Sequence, residues 1–433
     1  MKKFVLLHGV LVITSLILVS CGGGSGSGSS SAAKSSPSNV TERVFVSQSA
    51  STPTASGGLL IVNGFDDTLT RKGISAGTAP GLMAIDPGHT TVLAFDSITN
   101  KVEVVNTAKE TNTGAVQLAG PTMSIAEPNS SVAFAAVPST VLIGSSPGAV
   151  VEMNLTNGGI TATIGVPGAQ TVVSNPTGTQ VLAFSNDSDS VTIVSPSLVS
   201  SGSPVTVNVP GFDRPVFAVY SSDGSTAYIL NCGAQCGGTQ ASVQLMNFGT
   251  TPPSAGALVD VDAATVAYLS GTTLYVAGTS PSPANNACTG ETTAAMICGR
   301  LDVVDLTSMT VTGRAVITNG YHDRIDLGQN GQLFIGSHTC TNVGNVNNPT
   351  GEVRGCLSIY NTANGSVVIP PDNGDVTGLQ SFSERLVEYV AEGGYLRVYD
   401  TQTDTLLENT QYIPTGTIVI TGIVTDIKSV DFF

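Results

Sequence analysis

Eight times from residue 43 onward the chain repeats one short pattern. An apolar β-run is followed by a connection and then by a second β-run that ends in Asn, Asp or Ser. The second runs are Leu59–Asn63, Val102–Asn106, Val150–Asn154, Val191–Ser195, Val243–Asn247, Leu301–Asp305, Leu357–Asn361 and Leu396–Asp400. The first runs also align, as in Arg43–Val46, Thr91–Phe95, Gln180–Phe184 and Gln332–Ile335. A period of about 40–60 residues built from short strands predicts an all-β propeller, because each unit can bury its two faces only against its neighbours.

Each unit reads as four strands, A to D. Turn signals precede strand B: Asp86-Pro87-Gly88, Glu127-Pro128-Asn129, Asn175-Pro176-Thr177-Gly178, Asp223-Gly224, Ser270-Gly271 and Asn330-Gly331. Proline presets φ and glycine supplies positive φ, which is the chemistry of tight hairpins. Apolar runs such as Leu82–Ile85 and Thr171–Val173 stand ahead of these turns as strand A. The first unit has no strand A, and the last stretch, Asp426–Phe433, is a strand with no B after it. The C-terminal strand is therefore expected to join the N-terminal blade and close the ring, which removes an exposed sheet edge. Counted this way there are eight blades, with seven as the alternative if one repeat is merged.

Composition fits many strands and turns: 11% of residues are charged, 49 are Gly and 22 are Pro. Six cysteines follow residue 43: Cys232, Cys236, Cys288, Cys298, Cys340 and Cys356. An even number in an exported chain points to disulfides. Locality favours the pairs Cys232–Cys236, Cys288–Cys298 and Cys340–Cys356, each within one repeat. Their irregular spacing, with no CxxC, argues against a metal site, and no cofactor is expected.

Residues 1–20 read as a signal peptide. Lys2 and Lys3 precede an apolar run from Phe4 to Val19, which is short for a membrane-spanning helix of about 20 residues. The run ends in Leu18-Val19-Ser20-Cys21. This resembles the signal of bacterial lipoproteins, in which the cysteine is lipidated and becomes the first residue. Residues 21–42 are rich in Gly and Ser and form a flexible tether; residues 43–433 are the propeller. The absence of Asp after Cys21 leans towards the outer membrane, with the head facing the periplasm or the cell surface. Cleavage would take the formal charge from −15 to −17 by removing Lys2 and Lys3. Such an acidic head argues against nucleic acid, and a monomer is expected.

The run of aliphatic residues, Asx-Pro-x-Gly, Val-Leu-Ala-Phe and a strand ending in Asn resembles the YVTN-type β-propeller repeats of exported bacterial proteins, which overlap with lactonase-like propellers. The resemblance spans about residues 43–433 and implies fold rather than activity. It carries over no catalytic residue.

Two departures from the repeat direct attention to blades five to seven. All six cysteines fall in B–C connections there, and two of those connections are long, Thr279 to Arg300 and His338 to Gly355. Long ordered connections are commonly functional. Charged groups also open two A strands, Asp213-Arg214-Pro215 and His322-Asp323-Arg324. Asp213, Arg214, Arg324 and His338 are the ligand-binding candidates, with Arg suited to a carboxylate. His322 and Asp323 are candidates for proton transfer; ion pairing between blades is the structural alternative. Asp66-Asp67 and Asn186-Asp187-Ser188-Asp189 read as solvated turns, and the chain has no HExxH sequence. The absence of Trp argues against a carbohydrate-stacking surface. The leading expectation is a lipid-anchored binding module for an unknown protein or small molecule; a lactonase-like hydrolase using the same mouth is the alternative.

Overall fold

A computed structural model describes residues 37–431 apart from 51–56, 143–145, 186, 196–204, 281–297, 341–354, 372–373, 383 and 408–415. Residues 1–20, expected to be a signal peptide, and Cys21 and Cys288 lie outside the described residues.

Eight antiparallel sheets form the ring, and seven of them are built from consecutive strands A to D. The alternative of seven blades is thereby excluded. Blade one is assembled from the two ends of the chain: Ile423–Ser429 is its strand A, beside Arg43–Ser49, Gly58–Asn63 and Thr68–Ile74. The clasping strand begins earlier and ends sooner than the expected Asp426–Phe433. Its register pairs Val44 with Ser429 and Val46 with Ile427.

The repeating Asn and Asp residues act as strand terminators. The side-chain oxygen of Asn63 accepts from the amide of Phe65 (3.2 Å), that of Asn154 from Thr156 (3.0 Å), that of Asn361 from Ala363 (2.9 Å) and that of Asp400 from Gln402 (2.7 Å). These are Asx turns, in which the side chain satisfies an amide that the ladder has released. One expected turn is displaced. Glu127-Pro128-Asn129 belongs to the strand Ile125–Asn129, so the reversal falls at Ser130-Ser131. Strand A is the inner edge of its blade, where a proline's missing N–H need not cost a ladder bond. Strand D is short in blade seven, Val367–Val368, and in blade eight both Thr405–Leu406 and Thr417–Ile418 pair with strand C.

The core lies between blades. Phe45, Leu59 and Ile61 of blade one pack on Met83, Val92 and Ala94 of blade two. Phe184 and Val191 of blade four pack on Ala218 and Ile229 of blade five. Each fully buried side chain of this kind contributes about 1.5–3 kcal/mol, so a blade is stable only with its neighbours in place. Polar ties join successive A strands around the channel. Asp326 accepts from the Ser381 amide (2.8 Å), Gln380 from Ser429 (2.8 Å), Asp426 from Met83 (2.7 Å) and Ser124 from Val172 (3.0 Å).

The ring has two unlike faces. A–B and C–D turns form the turn face; B–C and D–A connections form the mouth face. The chain enters on the turn face. Ser38 donates to Glu110, in the C–D turn of blade two, and Arg43 begins strand B from that side. Arg43 is 2% exposed and holds Asp431, just past the clasping strand, through its backbone N, Nε and Nη2, each at 2.8 Å. Its Nη1 bonds the Thr107 carbonyl and pairs with Glu110 at 3.4 Å. Arg385 of blade eight makes a second clasp to Asp67 of blade one, at 2.7 and 2.9 Å.

Candidate functional site

The described cysteines all lie on the mouth face in blades five to seven, as expected from their place between strands B and C. Cys232–Cys236 and Cys340–Cys356 are disulfides with Cα separations of 5.6 and 5.5 Å. The expected pair Cys288–Cys298 includes a residue outside the described set.

In blade five, Asp213 anchors the first disulfide loop. Its carboxylate accepts from the amides of Thr239 (2.9 Å) and Gln240 (2.8 Å) and from the Thr239 hydroxyl. The fit is close, because a Cβ on Gly238 would sit 1.9 Å from Asp213 Oδ1. Partial burial acts to raise the Asp213 pKa, but the bonds from Thr239 and Gln240 outweigh it, so the group titrates below the ordinary carboxylate range. Arg214 stands beside it with φ of 53° and its Nε 3.7 Å from Asp189. Beneath the loop is a cavity of about 350 Å³ lined by Cys232, Gln235, Gln240, Asp262 and Ser280. Asp213 thus shapes this wall instead of facing a ligand. Asp213→Ala should raise the open population of the loop about tenfold or more, as expected for losing hydrogen bonds to a charged acceptor. The readout is faster reduction of Cys232–Cys236 by a mild thiol while Cys340–Cys356 is unaffected; equal rates would refute the anchor.

In blade six, Asp262 lies 3.4 Å from Arg314 and 4.0 Å from Arg300. Asp302 accepts from the Asp262 amide (2.8 Å) and from Arg314 Nε (3.1 Å), and burial pushes its pKa up to about 6. Sequence reading missed this cluster, because its members are scattered over strands C and D and a D–A connection.

In blade seven, three consecutive residues part company. His322 is 0% exposed and packs against blade six, where a Cβ on Gly299 would lie 2.8 Å from its Cε1. Its Nε2 donates to the Thr318 carbonyl at 2.9 Å, and burial pushes its pKa down to about 4. A neutral, sealed imidazole is a packing element between blades, remote from any solvent-borne ligand. Arg324 turns the other way, towards blade eight, with Nε donating to the Thr377 carbonyl at 2.7 Å. Asp323, between them, faces the mouth.

The cause is a β-bulge. Strand pairing skips from His322 to Arg324, which leaves Asp323 unpaired; a bulge re-aims a side chain in this way. Blades one, two, four, five and eight carry comparable shifts near the start of strand A, at Thr425, Gly81/Leu82, Gln170, Val216 and Thr377. Among these shifts near the start of strand A, the one in blade seven skips a charged residue. Asp323 there meets His338 Nε2 at 2.9–3.0 Å and Arg324 Nη1 at 3.0 Å. Of the candidates, the structure therefore brings Asp323, Arg324 and His338 together. Asp213 and Arg214 belong to blade five, and His322 is turned away.

The opposite end of the channel has another character. A cavity of about 570 Å³ on the turn face is lined by Pro87, Pro128, Pro176, Phe217, Val219 and Tyr268 among others. The pattern Gly144-Ser145-Ser146-Pro147-Gly148 matches GxSxG in letters, but it lies between strands B and C of blade three. Gly144 and Ser145 lie outside the described residues, and the next element is the strand Ala149–Asn154, where a nucleophile elbow is followed by a helix.

No protein-family model matches the chain, and no curated protein sequence matches it. Solved structures do. The dihydro-heme d1 dehydrogenase NirN matches with TM-score 0.61 at 11% identity, over 90% of this chain and 75% of that one. The C-terminal WD40 domain of Sif2 matches with TM-score 0.55 at 9% identity, over 81% and 90%. The Pseudomonas aeruginosa periplasmic gluconolactonase PpgL matches with TM-score 0.47 at 14% identity, over 90% and 98%. Identities this low are evidence of fold alone, and for the first two, with TM-scores above 0.5, the shared feature is the β-propeller.

Proposed function

We propose that the protein is an exported lipoprotein of the YVTN-type propeller group, anchored through Cys21, whose head is a binding module presenting its mouth face. The entry point of the chain is the observation that carries this reading. Residues 38–43 run along the turn face, so a tether from Cys21 attaches opposite the disulfide-closed connections. A head held from that side directs the mouth of blades five to seven away from the membrane. Two closed loops, a 350 Å³ cavity and the Asp323–Arg324–His338 group lie on the outward side. Binding is favoured over hydrolysis because His322 and Asp213, two groups a hydrolytic site would use, are engaged in packing and loop anchoring.

Fractionation of cells expressing the full chain tests the anchor. The wild type should sediment with membranes and Cys21→Ala should be soluble. Membrane retention of the variant would refute the lipid anchor.

A further inference from the structure

We infer that Arg324 and His338, held together by Asp323, form a clamp for the carboxylate of a small monoanionic ligand, and that protonation of the imidazole tightens it. The inference rests on the binding reading above and names the chemistry of its site.

The hydrogen-bond inventory leads to it. A carboxylate can only accept, so at the 2.9–3.0 Å contact the proton is on His338 Nε2. In the neutral ring Nδ1 then carries the lone pair. No partner of Nδ1 is found among the described residues, and the side chain is 26% exposed. Arg324 spends Nε on the Thr377 carbonyl and Nη1 on Asp323. Its Nη2 has no partner among the described residues, and the side chain is 27% exposed. Both groups come from rigid elements, strand A and strand B of one blade. Asp323 Oδ2 accepts from both Arg324 Nη1 and His338 Nε2, each at 3.0 Å, and the interblade bond at Nε fixes the guanidinium plane.

The charge arithmetic sets the ligand and its pH dependence. With neutral His338, Arg324 and Asp323 sum to zero, and Nδ1 offers a lone pair that repels an anion. Adding a proton makes the cluster positive and turns Nδ1 into a donor. Other groups facing the cluster work against a dianion. Asp375, in the connection into blade eight, holds the Thr339 amide at 2.8 Å. Tyr321 is the cross-strand partner of His338; it is 45% exposed overall, and desolvation of its hydroxyl and then Asp323 raise its pKa, so it stays neutral. One Arg donor and one imidazolium donor match the two oxygens of one carboxylate.

The test uses the detergent-solubilised full chain and trifluoroacetate, which stays ionised throughout, followed by fluorine NMR. Saturable binding is expected at pH 5.5 and should be on the order of tenfold weaker at pH 7.5, the worth of one charge-assisted hydrogen bond. Arg324→Gln should abolish binding at both values. His338→Gln, which spares the contact to blade eight, should bind with one affinity at both values. No saturable binding at pH 5.5, equal wild-type affinity at the two pH values, or an unchanged pH dependence in His338→Gln would each overturn the clamp. None of these results bears on membrane fractionation of the Cys21 variant, so the clamp and the anchored-module reading fail separately.

Discussion

Asp431→Ala is expected to lower the stability of the propeller by about 3–5 kcal/mol, the usual cost of removing one partner from a buried ion pair. Asp431 and Arg43 are 4% and 2% exposed, and three bonds of 2.8 Å join them. Removal of the carboxylate leaves a buried guanidinium with only the longer contact to Glu110 and the Thr107 carbonyl. The interaction also sits on the clasp, so its loss frees the strand that closes blade one. Urea unfolding should show the lower midpoint. The double variant Arg43→Met, Asp431→Leu should recover much of the loss, because it removes both charges and keeps the volume. A single variant as stable as the wild type would show that the clasp is held by strand pairing alone.

Glu127→Met should act in the opposite direction. Glu127 is 6% exposed, and neither carboxyl oxygen has a hydrogen-bond partner. Burial, with Asp86 nearby, pushes its pKa up to about 10, from an ordinary value of 4.5. The sign follows from proton uptake. The folded state holds the proton up to about pH 10, while the unfolded chain releases it above about 4.5. Stability from this group is therefore complete below the unfolded value and falls as pH rises, by about 1.4 kcal/mol per pH unit. At pH 7 the penalty is about 3 kcal/mol. The variant should gain stability over the wild type, and the gain should widen between pH 5.5 and 7.5. Parallel unfolding midpoints across that range would mean that Glu127 is paired or hydrated in solution.

Strands B and C were legible in the sequence because two signals coincide in them. Their alternation marks a strand, and the terminal Asn or Asp marks where the ladder releases an amide. Ring closure was legible as well, from a first unit without strand A and a last strand without a partner. Strand A is where reading failed, and the reason is physical. A bulge depends on the register between two strands, and no residue type in His322-Asp323-Arg324 announces it. Simple alternation puts His322 and Arg324 on one face and Asp323 on the other; the skip sends the three in separate directions. The same limit hid Glu127-Pro128. Its letters spell a turn, yet an inner edge strand tolerates the proline. The approach of His338 to this group across the hairpin was legible from their shared blade, whereas the bulge decides that Asp323 is the residue it meets.

The clasp has a consequence for the order in which the molecule is made. Arg43 and Asp431 are 388 positions apart. As the polypeptide leaves the ribosome, blades two to eight can each complete a sheet soon after their own residues emerge. Blade one, whose first strand appears earliest, must wait for the last strand with a bare inner edge that invites pairing with another chain. Contacts of such span form slowly. The earliest part of the propeller to be synthesised is thus the last to be finished, and until then it needs protection from its neighbours.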